Sequence, residues 1–204
     1  MMLRIRETNI LDMIDLYGEE ECRIILSSFS CPLGKDVEDF ISHKAIGFAK
    51  QRIAMTFLVF HERDEQLSMV GYYTLANKFV SVSGHMLSKT MQKRISRFSQ
   101  YDSTLDRYLV SMPLIAQLGR NFKYEKINTG FTGGDLLELA CKRIIQVQKI
   151  IGGKMTYIEC ASNPKLHLFY SKHDFVAFGE REKEHDELAE SPVLVQMLRY
   201  FKGL

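Results

Sequence analysis

An α/β or α+β layered domain is the fold class this sequence predicts, on three observations. Helical and strand-like patterns alternate along the chain. Two runs rich in β-branched and aromatic residues, AMTFLVFH and SMVGYYTLANKFVSV, are separated only by the charged HERDEQ. The second half holds a strand–helix–strand crossover, from RYLVSMPLIAQLGRNF through DLLELACKRIIQVQKII to KMTYIECAS. With 204 residues, a 46% hydrophobic fraction and no internal repeat, one domain spanning residues 1–204 is expected.

Each element follows from its own pattern. LRIRET alternates and reads as a short strand. NILDMIDLYGEEECRIILSSF reads as helical, with Asn9 as its cap and Leu11, Ile14, Leu16 and Ile24 as apolar positions. CPLGKD interrupts it with proline and glycine. DVEDFISHKAIGFAKQR is a second helix, capped by Asp36, with Val37, Phe40, Ile41, Ala45 and Phe48 on one face. The two β-branched runs form a hairpin. SKTMQKRISRFSQYDS is basic and less periodic, and the largely apolar RYLVSMPLIAQLGRNF is a buried strand with Pro113 near its start. In the next helix Leu137, Ala140, Ile144, Val147 and Ile151 make an apolar stripe, and Gly152-Gly153 stops it. KMTYIECAS is a strand, NPKLHLFYSKHD a short helix and FVAFGERE a strand. The acidic EKEHDELAE is a solvated loop, and SPVLVQMLRYF is a last strand whose edge offers a partner surface.

Composition narrows the function classes. A formal net charge of +2 excludes a polyanion binder by overall charge, so any nucleic-acid role must come from local clustering. No segment approaches the roughly 18–20 consecutive apolar residues of a membrane span. The opening MMLRIRETN becomes charged at once, without the apolar run of a signal peptide. Cys22, Cys31, Cys141 and Cys160 form no CxxC pair and read as reduced, packed thiols, which points to the cytoplasm. The six histidines have no metal-ligand spacing, and His167 and His173, six apart, do not share a helical face. No metal is expected.

The most informative stretch is NTGFTGGDLLELACKRI, residues 128–144. Small residues stand directly before an amphipathic helix. The first N–H groups of such a helix lack partners and carry partial positive charge, so a loop without bulky side chains lets an anion reach them. Gly133-Gly134 alone reads equally well as a turn. No Lys-Ser or Lys-Thr follows the glycines, so this is not a Walker loop, and GxGxxG is not matched either.

A second segment, NPKLHLFYSKHDFVAFG, places Tyr170 seven residues after Asn163. With both segments the chain resembles the GNAT family of acetyl-CoA-dependent N-acetyltransferases, whose loop reads Q/R-x-x-G-x-G/A and whose later segment reads N-x-x-A-x-x-x-Y-x-x-x-G-F. The loop aligns as Asn128, Thr129, Gly130, Phe131, Thr132 and Gly133, and the later segment as Asn163, Leu166, Tyr170, Asp174 and Phe175. The chain departs from the pattern at Asn128, at Phe131 in a glycine place and at Asp174 in the last glycine place. VGYYTLA at 70–76 and LGR at 118–120 are similar to the branch that includes toxins acetylating aminoacyl-tRNA. The likeness covers roughly residues 50–200.

The resemblance implies the GNAT fold, a central mixed, mostly antiparallel twisted sheet flanked by helices. It implies direct transfer of an acetyl group from acetyl-CoA to a primary amine. Loop N–H groups from Thr129 to Gly134 would bind the pyrophosphate, and the backbone of Asn121, Phe122 and Lys123 would pair with the pantetheine arm. Tyr170 would protonate the leaving thiolate, which a phenol with an ordinary pKa near 10 can do at neutral pH. Asn163 would bind pantetheine or cap its helix, since Asn before Pro is a normal helix start. Glu125 and Glu159 are the candidates for a general base, with a water chain as the alternative.

On the acceptor side, residues 66–101 contain no Asp or Glu. Lys78, Lys89, Lys93, Arg94 and Arg97 lie there with Tyr72, Tyr73, Phe79 and Phe98 interleaved, which suits an RNA backbone and unpaired bases as well as it suits a solvated helix face. Aminoacyl-tRNA, protein amines and small polyamine-like acceptors all stay open. A non-catalytic CoA- or RNA-binding module on the same fold is the alternative. The branch also suggests a homodimer, and a protein-interaction or antitoxin-linked factor is a third reading.

Overall fold

The computed structural model describes residues 4–63, 66–123, 130–184 and 192–202. Eight strands form one mixed sheet: β1 (Arg4–Asn9), β2 (Met55–Arg63), β3 (Gln66–Ser83), β4 (Ser99–Asp102), β5 (Arg107–Arg120), β6 (Met155–Ala161), β7 (Val176–Glu182) and β8 (Val193–Tyr200). Their order is β1-β2-β3-β5-β6-β8-β7, with β4 paired to β5. β5 and β6 run parallel, and the pairs β1–β2, β2–β3, β4–β5, β6–β8 and β7–β8 are antiparallel. The helices are α1 (Ile10–Tyr17), α2 (Glu19–Ser27), α3 (Lys35–Asp39), α4 (Ala45–Lys50), α5 (Lys89–Ile95), α6 (Gly133–Ile151) and α7 (Pro164–Lys172). A π-helical turn, Phe40–Lys44, joins α3 to α4. No described helix is long and apolar enough to cross a membrane.

Packing groups the chain into two compact units, Met1–Ala76 with Ala116–Cys141, and Asn77–Ile115 with Lys142–Leu204. In the first, Ile10, Met13, Cys22, Leu26, Phe40, Ile41 and Ala45 bury against Leu58 and Tyr72 of the sheet. The Asn9 side chain accepts the Leu11 N–H at 2.8 Å and caps α1 as expected. Two details of the helical region differ from the sequence reading. Leu16 and Ile24 are exposed, because the chain breaks at Gly18 and each short helix turns a different face inward. Asp36 is not a cap, since Gly34 precedes a helix that already starts at Lys35.

The glycines of the VGYYTLA and LGR motifs have a steric cause. A Cβ on Gly71 would meet the Gly119 carbonyl oxygen at 2.8 Å. A Cβ on Gly119 would meet Val37 Cγ1 at 2.4 Å and the rings of Phe29 and Tyr72 at 2.9 Å. Tyr72 is fully buried and donates its hydroxyl to the Val37 carbonyl at 2.6 Å, which draws α3 onto the sheet there.

The second unit contains two elements that the sequence did not reveal, α5 and β4. Ser88 caps α5 by accepting the Met91 N–H at 3.3 Å, and β4 forms a short ladder with the start of β5. β8 lies between β6 and β7, so SPVLVQMLRYF is not a sheet edge. The stripe of α6 turns after Ile144. Val147 and Ile151 are exposed, while Gln148 is buried and donates to the Met155 carbonyl at 2.7 Å.

All four cysteines are free thiols and buried. Burial raises the Cys160 thiol to about 11, and it raises Cys22 and Cys31 above their ordinary value. A folded-state pKa above the unfolded one keeps the proton on the native form. The contribution is therefore complete below pH 9 and is lost as pH rises toward 11. Urea unfolding between pH 8 and 11 should show stability falling across that window.

Candidate functional site

The loop before α6 and the end of β5 belong to the first unit. Gly130 has φ +66, a left-handed conformation that glycine adopts without steric cost. Phe131, in a family glycine place, is 6% exposed, so its ring does not project from the loop. Thr132 and Asp135 form a reciprocal cap. The Asp135 carboxylate accepts from the Thr132 N–H at 2.8 Å and from its hydroxyl at 2.6 Å, and Thr132 Oγ1 accepts the Asp135 N–H at 3.2 Å. Gly133 and Gly134 follow the cap as the first two residues of α6, where backbone N–H groups have no intrahelical acceptor. Asn128 and Thr129, and the base candidate Glu125, lie outside the described residues.

Asn121 is buried and holds the end of β5. β3 carries a bulge at Val70, where Val59 pairs with Gly71 and Phe60 with Met69. The bulge lets the Val70 carbonyl accept the Asn121 N–H at 2.9 Å. The buried Asn121 side chain donates to the Met69 carbonyl at 2.9 Å, and its oxygen accepts from Ser30 N–H at 3.1 Å and Lys123 N–H at 3.0 Å. The Phe122 N–H goes to the Ser30 carbonyl at 2.8 Å. All three N–H groups of residues 121–123 are thus engaged within the chain. Upstream, the described β5–β6 register consists of Leu114–Tyr157 and Ile115–Ile158, and β5 continues to Arg120.

Tyr170 and Asn163 belong to the second unit. Asn163 is the cap of α7, accepting the Lys165 N–H at 2.9 Å with Pro164 next. Tyr170 sits in the last turn of α7, half-buried, its ring centroid 5.8 Å from Phe175 and 5.0 Å from Phe169. The helix ends in a Schellman motif: Phe175 N–H bonds the Tyr170 carbonyl at 3.1 Å and Asp174 N–H bonds the Ser171 carbonyl at 3.2 Å. Asp174 therefore has φ +64, the left-handed conformation for which the family keeps glycine. Asp174→Gly should raise stability by about 0.5–1 kcal/mol without moving Tyr170, checked by thermal melting.

Glu159 is held as a cross-strand clamp. Arg181 donates to its Oε2 at 2.6 and 2.8 Å and Gln196 to its Oε1 at 2.8 Å, joining β6, β7 and β8. Both oxygens are taken, which argues against a role as general base. Of the basic residues, Lys93, Arg94 and Arg97 line one recess, and Lys89 is exposed outside it. Of the aromatic residues interleaved with them in sequence, Tyr72 and Tyr73 are completely buried. Among the described residues no group of three or more His, Cys, Asp and Glu is arranged to hold a metal ion.

This sheet order, with its parallel β5–β6 pair bridged by α6, is the GNAT fold implied by the motifs. Solved structures share it over nearly their whole length. AtaT complexed with acetyl-methionyl-tRNAfMet is 17% identical, with a TM-score of 0.62 and 94% of each chain covered. A tyrosine-to-phenylalanine mutant of KacT is 15% identical, with a TM-score of 0.62 and 95% of each chain covered. AtaTR bound with acetyl-CoA is 15% identical, with a TM-score of 0.58 and 97% of this chain and 94% of that one covered. No protein-family model matches the sequence, and no curated protein does.

Proposed function

We propose that the chain is a GNAT-type N-acetyltransferase that moves the acetyl group of acetyl-CoA directly to the amine of an aminoacyl-tRNA. The observation that carries this reading is the N-terminus of α6. Gly130 turns the loop, Phe131 is tucked away, and Gly133 and Gly134 open a helix whose first N–H groups lack intrahelical partners, which suits an anion. The pyrophosphate of acetyl-CoA fits that chemistry, and it would displace the Asp135 carboxylate to reach the Thr132 N–H. Because the N–H groups of residues 121–123 are engaged, the pantetheine arm would pair along β5 upstream of them, between Ala116 and Gly119. AtaTR, bound with acetyl-CoA, and AtaT, complexed with acetyl-methionyl-tRNAfMet, have the same fold and support both ligands.

In the reaction the amine nitrogen attacks the thioester carbon, the carbon–sulfur bond breaks, and Tyr170 gives its phenolic proton to the leaving sulfur. The amine's surplus proton passes to water. Binding both reactants in line supplies most of the acceleration. The test is transfer of labelled acetyl from acetyl-CoA to a panel of aminoacyl-tRNAs, proteins and small amines. Label on the aminoacyl-tRNA and not on the other acceptors supports the reading. Label only on protein or small amines overturns the acceptor, and none on any overturns catalysis.

A further inference from the structure

We propose that His167 is the proton relay that restores Tyr170 after each acetyl transfer. It deepens the reading above, resting on Tyr170 as the acid that protonates the leaving sulfur. The starting observation is a buried nitrogen for which the fold has no use. His167 Nε2 is enclosed by protein and has no hydrogen-bond partner among the described residues. A polar atom buried in this way is costly, so its presence calls for a reason. Three other described atoms share the condition, the hydroxyl oxygens of Ser81 and Ser99 and Oε1 of Gln148. Gln148 is anchored through its amide nitrogen, which donates to the Met155 carbonyl at 2.7 Å. Of the four groups, only the imidazole is a side chain that takes up and releases protons.

α7 sets His167 one turn before Tyr170. No residue of this helix is fully buried. His167, Phe169 and Tyr170 are half-buried, while Lys165, Leu166 and Leu168 are exposed, so the helix turns rings inward and leaves its leucines outside. Side chains three apart on a helix are neighbours, about 5–6 Å between Cβ atoms, and each leans toward the helix N-terminus. Tyr170 therefore leans over the turn that carries His167. Both ends of the helix are fixed, by the His167 N–H on the Asn163 carbonyl at 3.0 Å and by the Phe175 N–H on the Tyr170 carbonyl at 3.1 Å. Nε2 is enclosed while the residue as a whole is partly open to solvent, the setting in which an imidazole passes a proton inward. When Tyr170 gives its proton to the departing sulfur, the CoA thiol forms and a phenolate remains. The Nε2 proton of His167 then goes to the phenolate through a bridging water, and Nδ1 takes a proton from solvent, where the amine's proton has gone. The phenol is restored, the imidazole stays neutral, and exchange with water returns it to its first tautomer. His167 acts through Tyr170 and does not meet the substrate.

Rapid-quench kinetics with labelled acetyl-CoA, using whichever acceptor takes label in the panel above, separates the first turnover from later ones. His167→Gln should complete its first turnover at the wild-type rate, because Tyr170 starts protonated, and slow about tenfold thereafter. His167→Asn, equally unable to relay, should behave the same. Added imidazole should restore the later turnovers of both variants. In a Tyr170→Phe background His167→Gln should change nothing further. A histidine that only packs would slow first and later turnovers alike and would not respond to imidazole. That pattern, wild-type kinetics in both variants, or a further loss in the Tyr170→Phe background overturns the relay and leaves acetyl transfer standing. A wild-type protein that transfers acetyl to no acceptor sinks the reading itself, and the relay with it.

Discussion

Tyr170→Phe is expected to slow acetyl transfer by about 10²–10⁴-fold while leaving acetyl-CoA affinity unchanged. The substitution removes one oxygen and nothing else. The ring keeps its place against Phe175 and Phe169, and the Schellman bonds use backbone groups only. The loss should fall on kcat, because proton donation to sulfur matters in the transition state and not in the bound ground state. Single-turnover transfer, with calorimetry on the same variant, separates the two. Unchanged turnover would assign proton delivery to water or another group. Lost binding would mean that the hydroxyl holds the coenzyme instead.

Gly119→Ala is expected to be the most damaging small substitution in the first unit. The added methyl carbon would stand 2.4 Å from Val37 Cγ1 and 2.9 Å from both Phe29 and Tyr72. None of these can simply swing away. Tyr72 is fully buried and hydrogen-bonded to the Val37 backbone, and Phe29 packs edge-on against its ring at 5.1 Å. Overpacking of this kind costs about 1–3 kcal/mol, and more where backbone must shift. The midpoint of urea unfolding should fall accordingly, with acetyl-CoA affinity reduced because the next residues of the chain lead to the loop. Gly47→Ala is the control, since a Cβ there meets nothing within 4 Å and alanine favours the helix. Equal stability of the two variants would show that α3 is not packed against β5 as described.

The sequence was legible where the signal is local. Strand alternation, the Asn9 and Asn163 caps and the glycine stop of α6 all depend on a few neighbouring residues, and each stands where the pattern places it. Readings that depend on tertiary context went astray. The exposed Leu16 and Ile24 follow from a break at Gly18 that a continuous helical period conceals. Gln148 is buried in place of Val147 because it satisfies a strand carbonyl, which no hydropathy scale anticipates. β8 entered the middle of the sheet because strand order is set by distant pairings.

The candidate site divides in the same way. Its glycines and Tyr170 were readable as motifs, and the departure at Asp174 is explained by a backbone conformation that glycine and, less comfortably, aspartate adopt. The network of Asn121 with Met69, Val70 and Ser30 is not legible in the sequence, because those partners are far away along the chain.

The Thr132–Asp135 cap and the engaged N–H groups of residues 121–123 favour one competing reading, a GNAT fold that has given up its coenzyme. Calorimetric titration of acetyl-CoA into the purified protein, with dephospho-CoA and desulfo-CoA alongside, decides between the two most directly. The account predicts micromolar binding that desulfo-CoA largely retains, because the phosphate groups and pantetheine arm carry the contacts. No binding at millimolar acetyl-CoA would contradict it.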